Sequence, residues 1–173
     1  PHAQSAATTL ENQQEQARRQ VNQLAEEIAQ LAEADMPPAQ FYNEFLQRAY
    51  FAVQGFAGAI WLRTEQGNLI LQCQINLREV GLDRSPDSRP MHDELLRQAA
   101  LQGKGSIIRP NVSHSLTTGS EQLAGNPTNH VILIVPILHD KQVIGLFAVW
   151  QDPSRQPAAL NNGYQFMVRM AAL

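Results

Sequence analysis

A single cysteine, Cys73, stands in 173 residues, which excludes an internal disulfide and any metal cluster built on cysteine. No apolar run reaches the ~18 residues that a membrane helix needs, so no membrane insertion by this segment is expected. An excess of one charge is missing too. Thirteen basic residues against 16 acidic ones leave a net charge of −3, which argues against a nucleic-acid or anionic-membrane surface. There is no His-x-x-x-His pair, no Gly-rich phosphate loop and no carboxylate cluster at metal-ligand spacing. His92, His114, His130 and His139 are scattered over separate stretches, so no metal site is expected.

What is present suits a folded domain. The apolar fraction is 43%, ordinary for a globular protein, and the length fits one domain with appendages. The chain opens on Pro1 without a methionine and stops inside an apolar-periodic stretch, as a piece of a longer protein would. One cysteine fits a reducing compartment, and the expected location is cytoplasmic, in a parent protein that is free to be membrane-associated.

The strongest signal is a pair of apolar runs, 131–138 and 143–150, around the polar break His139 to Gln142. Each is rich in Val, Ile and Phe and too short for a normal helix, so together they predict a β-hairpin at the centre of a sheet. Pro136 cannot donate to a ladder, which fits a bulge or an unpaired edge position, and Gly145 leaves room for a close neighbour.

In chain order, residues 1–9 are small and polar and predict a disordered leader. Residues 10–35 lack Gly and Pro up to Ala34 and carry Leu10, Ala17, Val21, Leu24, Ile28 and Leu31 at heptad-like spacing, a coiled-coil-like helix. That stripe can pack back on its own domain, or it can join two copies. The Gln-rich opposite face favours a homodimer through Val21, Leu24, Ile28 and Leu31.

Residues 36–173 are then the main domain. Pro37-Pro38 open a helix whose apolar stripe runs from Phe41 through Phe45, Leu46, Ala49 and Val53, and Gly55 stops it. Strands follow at 57–64 and 69–76 around a Glu-Gln-Gly-Asn turn. In the second strand Leu69, Leu71, Cys73 and Ile75 share one face, with Cys73 a small buried hydrophobe. A helix from Pro90 to Gln102 ends at Gly103, and 106–109 is a short strand. Residues 111–130 are long and irregular, as binding loops often are. Pro157 opens the last helix. Strand pairs joined by short turns imply an α+β fold with a largely antiparallel sheet and helices on its faces.

The run Val135-Pro136-Ile137, a polar turn, then Val143-Ile144-Gly145-Leu146-Phe147-Ala148-Val149 resembles the closing hairpin of GAF domains. The element order over about residues 37–173 resembles that family as well. The resemblance implies a GAF-like sheet with the first and last helices packed on one face. On the other face it implies a pocket beneath residues 111–130. Element order then offers Trp61, Ile107, His114, Thr117, Thr118 and His130 as ligand-binding residues, apolar walls with few polar anchors. The family's better-marked ligands find no support. Members that reduce methionine sulfoxide rely on several cysteines, bilin-binding members attach through a pocket cysteine, and cyclic-nucleotide binders carry an Asn-Lys…Phe…Asp-Glu constellation absent here. No cofactor is named by the sequence.

No catalytic residue is assigned. His114 between Ser113 and Ser115, and His92 before Asp93-Glu94, read as polar loop and helix-start residues, because neighbours in sequence rarely face one reacting atom. The expected function is a non-catalytic sensory or regulatory domain that binds a small molecule and relays its state through terminal helices. The alternative is a degenerate fold that serves only to dimerise or to space other parts of a protein.

Overall fold

The computed structural model describes residues 2–110 and 125–172, with side chains from Glu15 onward save Ala17. Four helices, α1 (His2–Glu33), α2 (Pro38–Ala52), α3 (Ser88–Gln102) and α4 (Pro157–Met170), surround five strands. These are β1 (Ala57–Arg63), β2 (Leu69–Ile75), β3 (Ser106–Ile108), β4 (Val131–His139) and β5 (Gln142–Gln151). The sheet runs β2-β1-β5-β4-β3 with every pairing antiparallel. The expected hairpin is its centre: β5 and β4 hold inner positions, and Asp140 and Lys141, both at positive φ, make the two-residue turn between them.

Alternation along the central strands sends side chains to two separate cores. Ile60, Val131, Leu133, Val135, Phe147 and Val149 join α1, α2 and α4 on one face. Ala57, Ala59, Trp61, Ile132, Ile134, Leu146, Ala148 and Trp150 meet α3 on the other. Phe147 is fully buried, edge-on to Phe45 of α2 with ring centroids 5.3 Å apart. Burying such a ring contributes about 2–3 kcal/mol.

Local signals set the helix ends. Pro38 occupies the first turn of α2, where its missing N–H costs nothing, and Pro157 does the same for α4. Gly103 adopts φ +60° after α3 and donates its N–H to the Ala99 carbonyl. Pro136 lies past Ile134, the last residue of β4 paired toward the hairpin tip with β3, so its outer side needs no donor.

Three expectations change. Helix α1 starts at His2 and takes in residues 2–9, where the composition predicts a disordered leader. Ile28 and Leu31, assigned to a seam between copies, are buried in the α2/α4 core of their own chain; Val21 and Leu24 are only half-buried. The turn to α2 brings the end of α1 back across that helix, a long-range event that heptad spacing does not encode. In β2, a bulge breaks the alternation: Ile60 pairs Cys73 but Trp61 pairs Leu71, leaving Gln72 over. Leu69 therefore packs on the α3 side, Cys73 and Ile75 on the other, and Leu71 is 41% exposed.

Gly145 pairs with Leu62 and Ile137 at once, and a Cβ there would stand 2.5 Å from the Trp61 carbonyl oxygen. That neighbour is backbone of the paired strand and cannot swing aside. Gly145→Ala is expected to lower stability by about 2 kcal/mol. Urea denaturation would read this as a lower midpoint at unchanged slope; an unchanged midpoint would mean that the strands separate without cost.

Candidate functional site

The α3 face of the sheet gathers two tryptophans and a histidine. Trp150 pairs across from Ala57, and Ala59 pairs with Ala148, so small residues leave space for the indole. Trp61 stands on the same face, its ring centroid 6.3 Å from that of Trp150. Helix α3 adds His92 at the position that Leu95, Leu96 and Ala99 follow at i+3, i+4 and i+7, which places it on the buried stripe. Its imidazole stacks on Trp150 at 5.8 Å with 28° between planes, and tilts against Trp61 at 5.7 Å.

His92 is 4% exposed. Loss of water pushes its pKa down to about 4, against the opposing pull of Asp93, whose Oδ1 lies 3.8 Å from Nδ1. It is therefore a neutral ring at pH 7. The Trp150 Nε1–H is buried with no hydrogen-bond partner among the described residues. A buried donor without an acceptor is costly, and such groups mark places where a ligand or water belongs.

Beside Trp61 a cleft of about 370 Å³ opens between α3 and the β1–β2 hairpin. Leu96 and Ala100 form one wall, Leu69 the other, and Arg63, Asp93, Arg97 and Asn68 contribute polar atoms. Arg97 is held in a fork by both oxygens of Glu94, at 2.7 and 2.5 Å. The size and the mixture of apolar walls with a few polar groups fit a small molecule.

The sequence-derived site residues do not converge. Trp61 lines this cleft, but Ile107 packs toward the opposite core, because Ile108 is the β3 residue that faces α3. His130 sits at the end of the sheet, stacked on Phe56 with centroids 4.1 Å apart. Its Nδ1 is buried without a partner, and burial first, then Arg84, lowers its pKa. His114, Thr117 and Thr118 lie outside the described residues, as does most of the 111–130 segment.

Sequence reasoning missed His92, Trp150 and Asn126. His92 is no helix-start surface residue: α3 begins a turn earlier, at Ser88, and carries it inward. Asn126 is 1% exposed and ties both sides of the long segment together. Its Nδ2 donates to the carbonyls of Ile108 (3.0 Å) and His130 (2.7 Å), and its Oδ1 accepts from Thr128 N–H (2.9 Å) and Oγ1–H (2.8 Å). Cys73 is buried as expected; its thiol donates to the Tyr42 carbonyl, and burial pushes its pKa up to about 11. Among the described residues no group of three or more His, Cys, Asp or Glu could hold a metal ion, and no helix is long and apolar enough to cross a membrane.

A five-stranded antiparallel sheet in this order, with three helices on one face and one on the other, is the GAF fold. The nlh2 GAF domain of A. aeolicus, solved in an inactive state, superposes with a TM-score of 0.63 at 18% identity, over 90% of this chain and 93% of that one. The GAF domain of a Coxiella burnetii phosphoenolpyruvate-protein phosphotransferase gives 0.61 at 14% identity, covering 89% of each chain. Its Acinetobacter counterpart gives 0.58 at 15%, over 89% of this chain and 87% of that one. No family model matches the sequence, and no curated protein matches it either.

Proposed function

We propose that this chain is a sensory or regulatory module without catalysis of its own. In this reading it binds a small molecule on the α3 face, at the cleft beside Trp61, and passes its state through α1 and α4 to a part of the protein outside this sequence. The observation that carries the reading is the cleft of about 370 Å³ beside Trp61, where the apolar walls of Leu69, Leu96 and Ala100 meet the polar groups of Arg63, Asn68 and Asp93. The ligand would then bring an apolar body with a few polar atoms for Arg63, Asn68 and Asp93. The neighbouring structures lend support: two are GAF domains from phosphoenolpyruvate-protein phosphotransferases, and the third is a GAF domain in an inactive state. His114, Thr117 and Thr118 remain proposed contributors from the segment before β4, in a cytoplasmic setting; His130, stacked on Phe56 at the far end of the sheet, is no part of this cleft.

The same reading includes a homodimer, formed through the part of α1 ahead of Ala25. Val21 and Leu24 are half-buried there, and the described side chains from Glu15 to Gln20 are exposed. Native mass spectrometry tests both halves at once. The expected spectrum is a dimer carrying one extra mass of a few hundred daltons per chain, lost on denaturation, with sizes typical of small-molecule sites. Val21→Glu with Leu24→Glu should give a monomer that keeps the extra mass. A bare polypeptide mass would favour the second reading, a dimerisation or spacer module, for which the dense packing of Trp61, His92 and Trp150 already speaks. A monomer before mutation would remove the seam.

A further inference from the structure

The sheet's other face holds a second cavity that the α3 reading does not use. At about 380 Å³ it opens between the end of α1, the first turns of α2, the end of α4 and the tip of the β4–β5 hairpin. Its floor is made of core side chains: Ile28 is fully buried, Met170 is 2% exposed and Phe45 is 5% exposed. Phe41 and Tyr42 form an aromatic wall, edge to face at 5.3 Å, with Phe41 tilted against Phe45 at 6.0 Å. Leu138 and Ile144, 45% and 36% exposed, stand at the hairpin rim.

Three physical points fix what such a cavity could take. Its lining contains no Asp, Glu, Lys or Arg, and His139 and Tyr42 are its only side chains with polar groups. A charged guest would lose its water with no ion to meet it, at a cost of several kcal/mol. The volume is too small for a docked helix, whose diameter with side chains is about 10–12 Å. It does fall within the range of sites that enclose a small molecule. Finally, Ala32 of α1, Ala34 just past its end and Ala171 just past the end of α4 line it where longer side chains would fill the space.

From these the geometry points to a second ligand site, for an uncharged, largely aromatic small molecule, seated among α1, α2, α4 and the hairpin tip. It is separate from the α3 cleft, because the whole thickness of the sheet lies between them. Its walls come from parts of the chain more than a hundred residues apart in sequence, so an occupant holds α1 and α4 to the hairpin.

The probe is N-phenylnaphthylamine, an uncharged fluorophore that brightens in apolar surroundings. Titration should give saturable enhancement with one probe per chain. Ala32→Trp places an indole from an exposed helical position into the mouth and should weaken the probe at least about tenfold, near 1.4 kcal/mol. Ile144→Asp, at the exposed rim, should do the same through charge; it guards against a misfolded Ala32→Trp, which circular dichroism would reveal. Leu101→Trp, which narrows the α3 cleft, should leave the affinity unchanged. Loss of binding in Leu101→Trp alone would place the probe under α3 and overturn the second site. Absence of saturable binding would overturn it as well, as would enhancement indifferent to both rim variants. None of these results bears on whether a ligand copurifies on the α3 face.

Discussion

Lowering the pH from 7 to 4 is expected to cost the domain about 3 kcal/mol through His92 alone. The ring's pKa is about 4 in the folded chain and near its ordinary 6.5 when unfolded. Below 6.5 the unfolded chain therefore binds a proton that the folded chain refuses. The stabilisation is fully present above pH 6.5, falls as the pH drops, and is exhausted once it passes 4. Urea unfolding between pH 4 and 8 would measure it, with His92→Phe as the comparison. Asp83 and Glu94, whose pKa values are lowered by Arg89 and Arg97, lose their own stabilisation in acid. They do so equally in both proteins. The variant should show a clearly shallower loss over this window. Parallel curves would mean that His92 takes up its proton without leaving the space between the two tryptophans.

Asn126→Ala is expected to be the most damaging polar substitution, at roughly 3–4 kcal/mol. The amide serves four bonds, three of them wholly buried, so its loss strands the Thr128 N–H and the Ile108 carbonyl away from water. The His130 carbonyl keeps a second donor, Thr128 Oγ1 at 3.2 Å, which limits the damage there. Asn126→Asp should be nearly as harmful, because a carboxylate replaces the donor with a buried charge. Thermal melts would give the loss, and amide exchange at Thr128 would locate it. A melting point within a degree or two of the parent would show that water reaches these groups when the side chain is gone.

How much of this was legible in the sequence depends on how local the cause is. Pro38, Gly103, Pro157 and the 139–142 turn act on their own neighbours, and each end they set is where the sequence puts it. The apolar stripe of α2 and the hairpin strands were legible for the same reason: burial on those elements follows their own period. Leu71 was not, since a bulge at Gln72 is set by how β2 meets β1, a contact across a turn. Ile107 and Trp61 looked alike as apolar strand residues, and only the pairing of β3 with β4 places them on opposite faces. His92 had a readable signal in its spacing from Leu95, Leu96 and Ala99, but the charges of Asp93 and Glu94 beside it suggested a solvated start. Asn126 carried none, because its partners are 18 residues back and four ahead.

On helix α1 the buried side chains, among those described, gather near one end. Every fully buried position described on it lies at Ala25 or beyond, while the helix reaches back to His2. At 1.5 Å per residue the stretch from His2 to Ala25 is roughly 35 Å long. A tilt of about 5° at Ala25, a change small enough to be absorbed by side chains repacking around Ile28, swings the far tip by about 3 Å by the same geometry. Displacements too slight to notice in the core thus arrive at the tip as a distance comparable to a hydrogen bond.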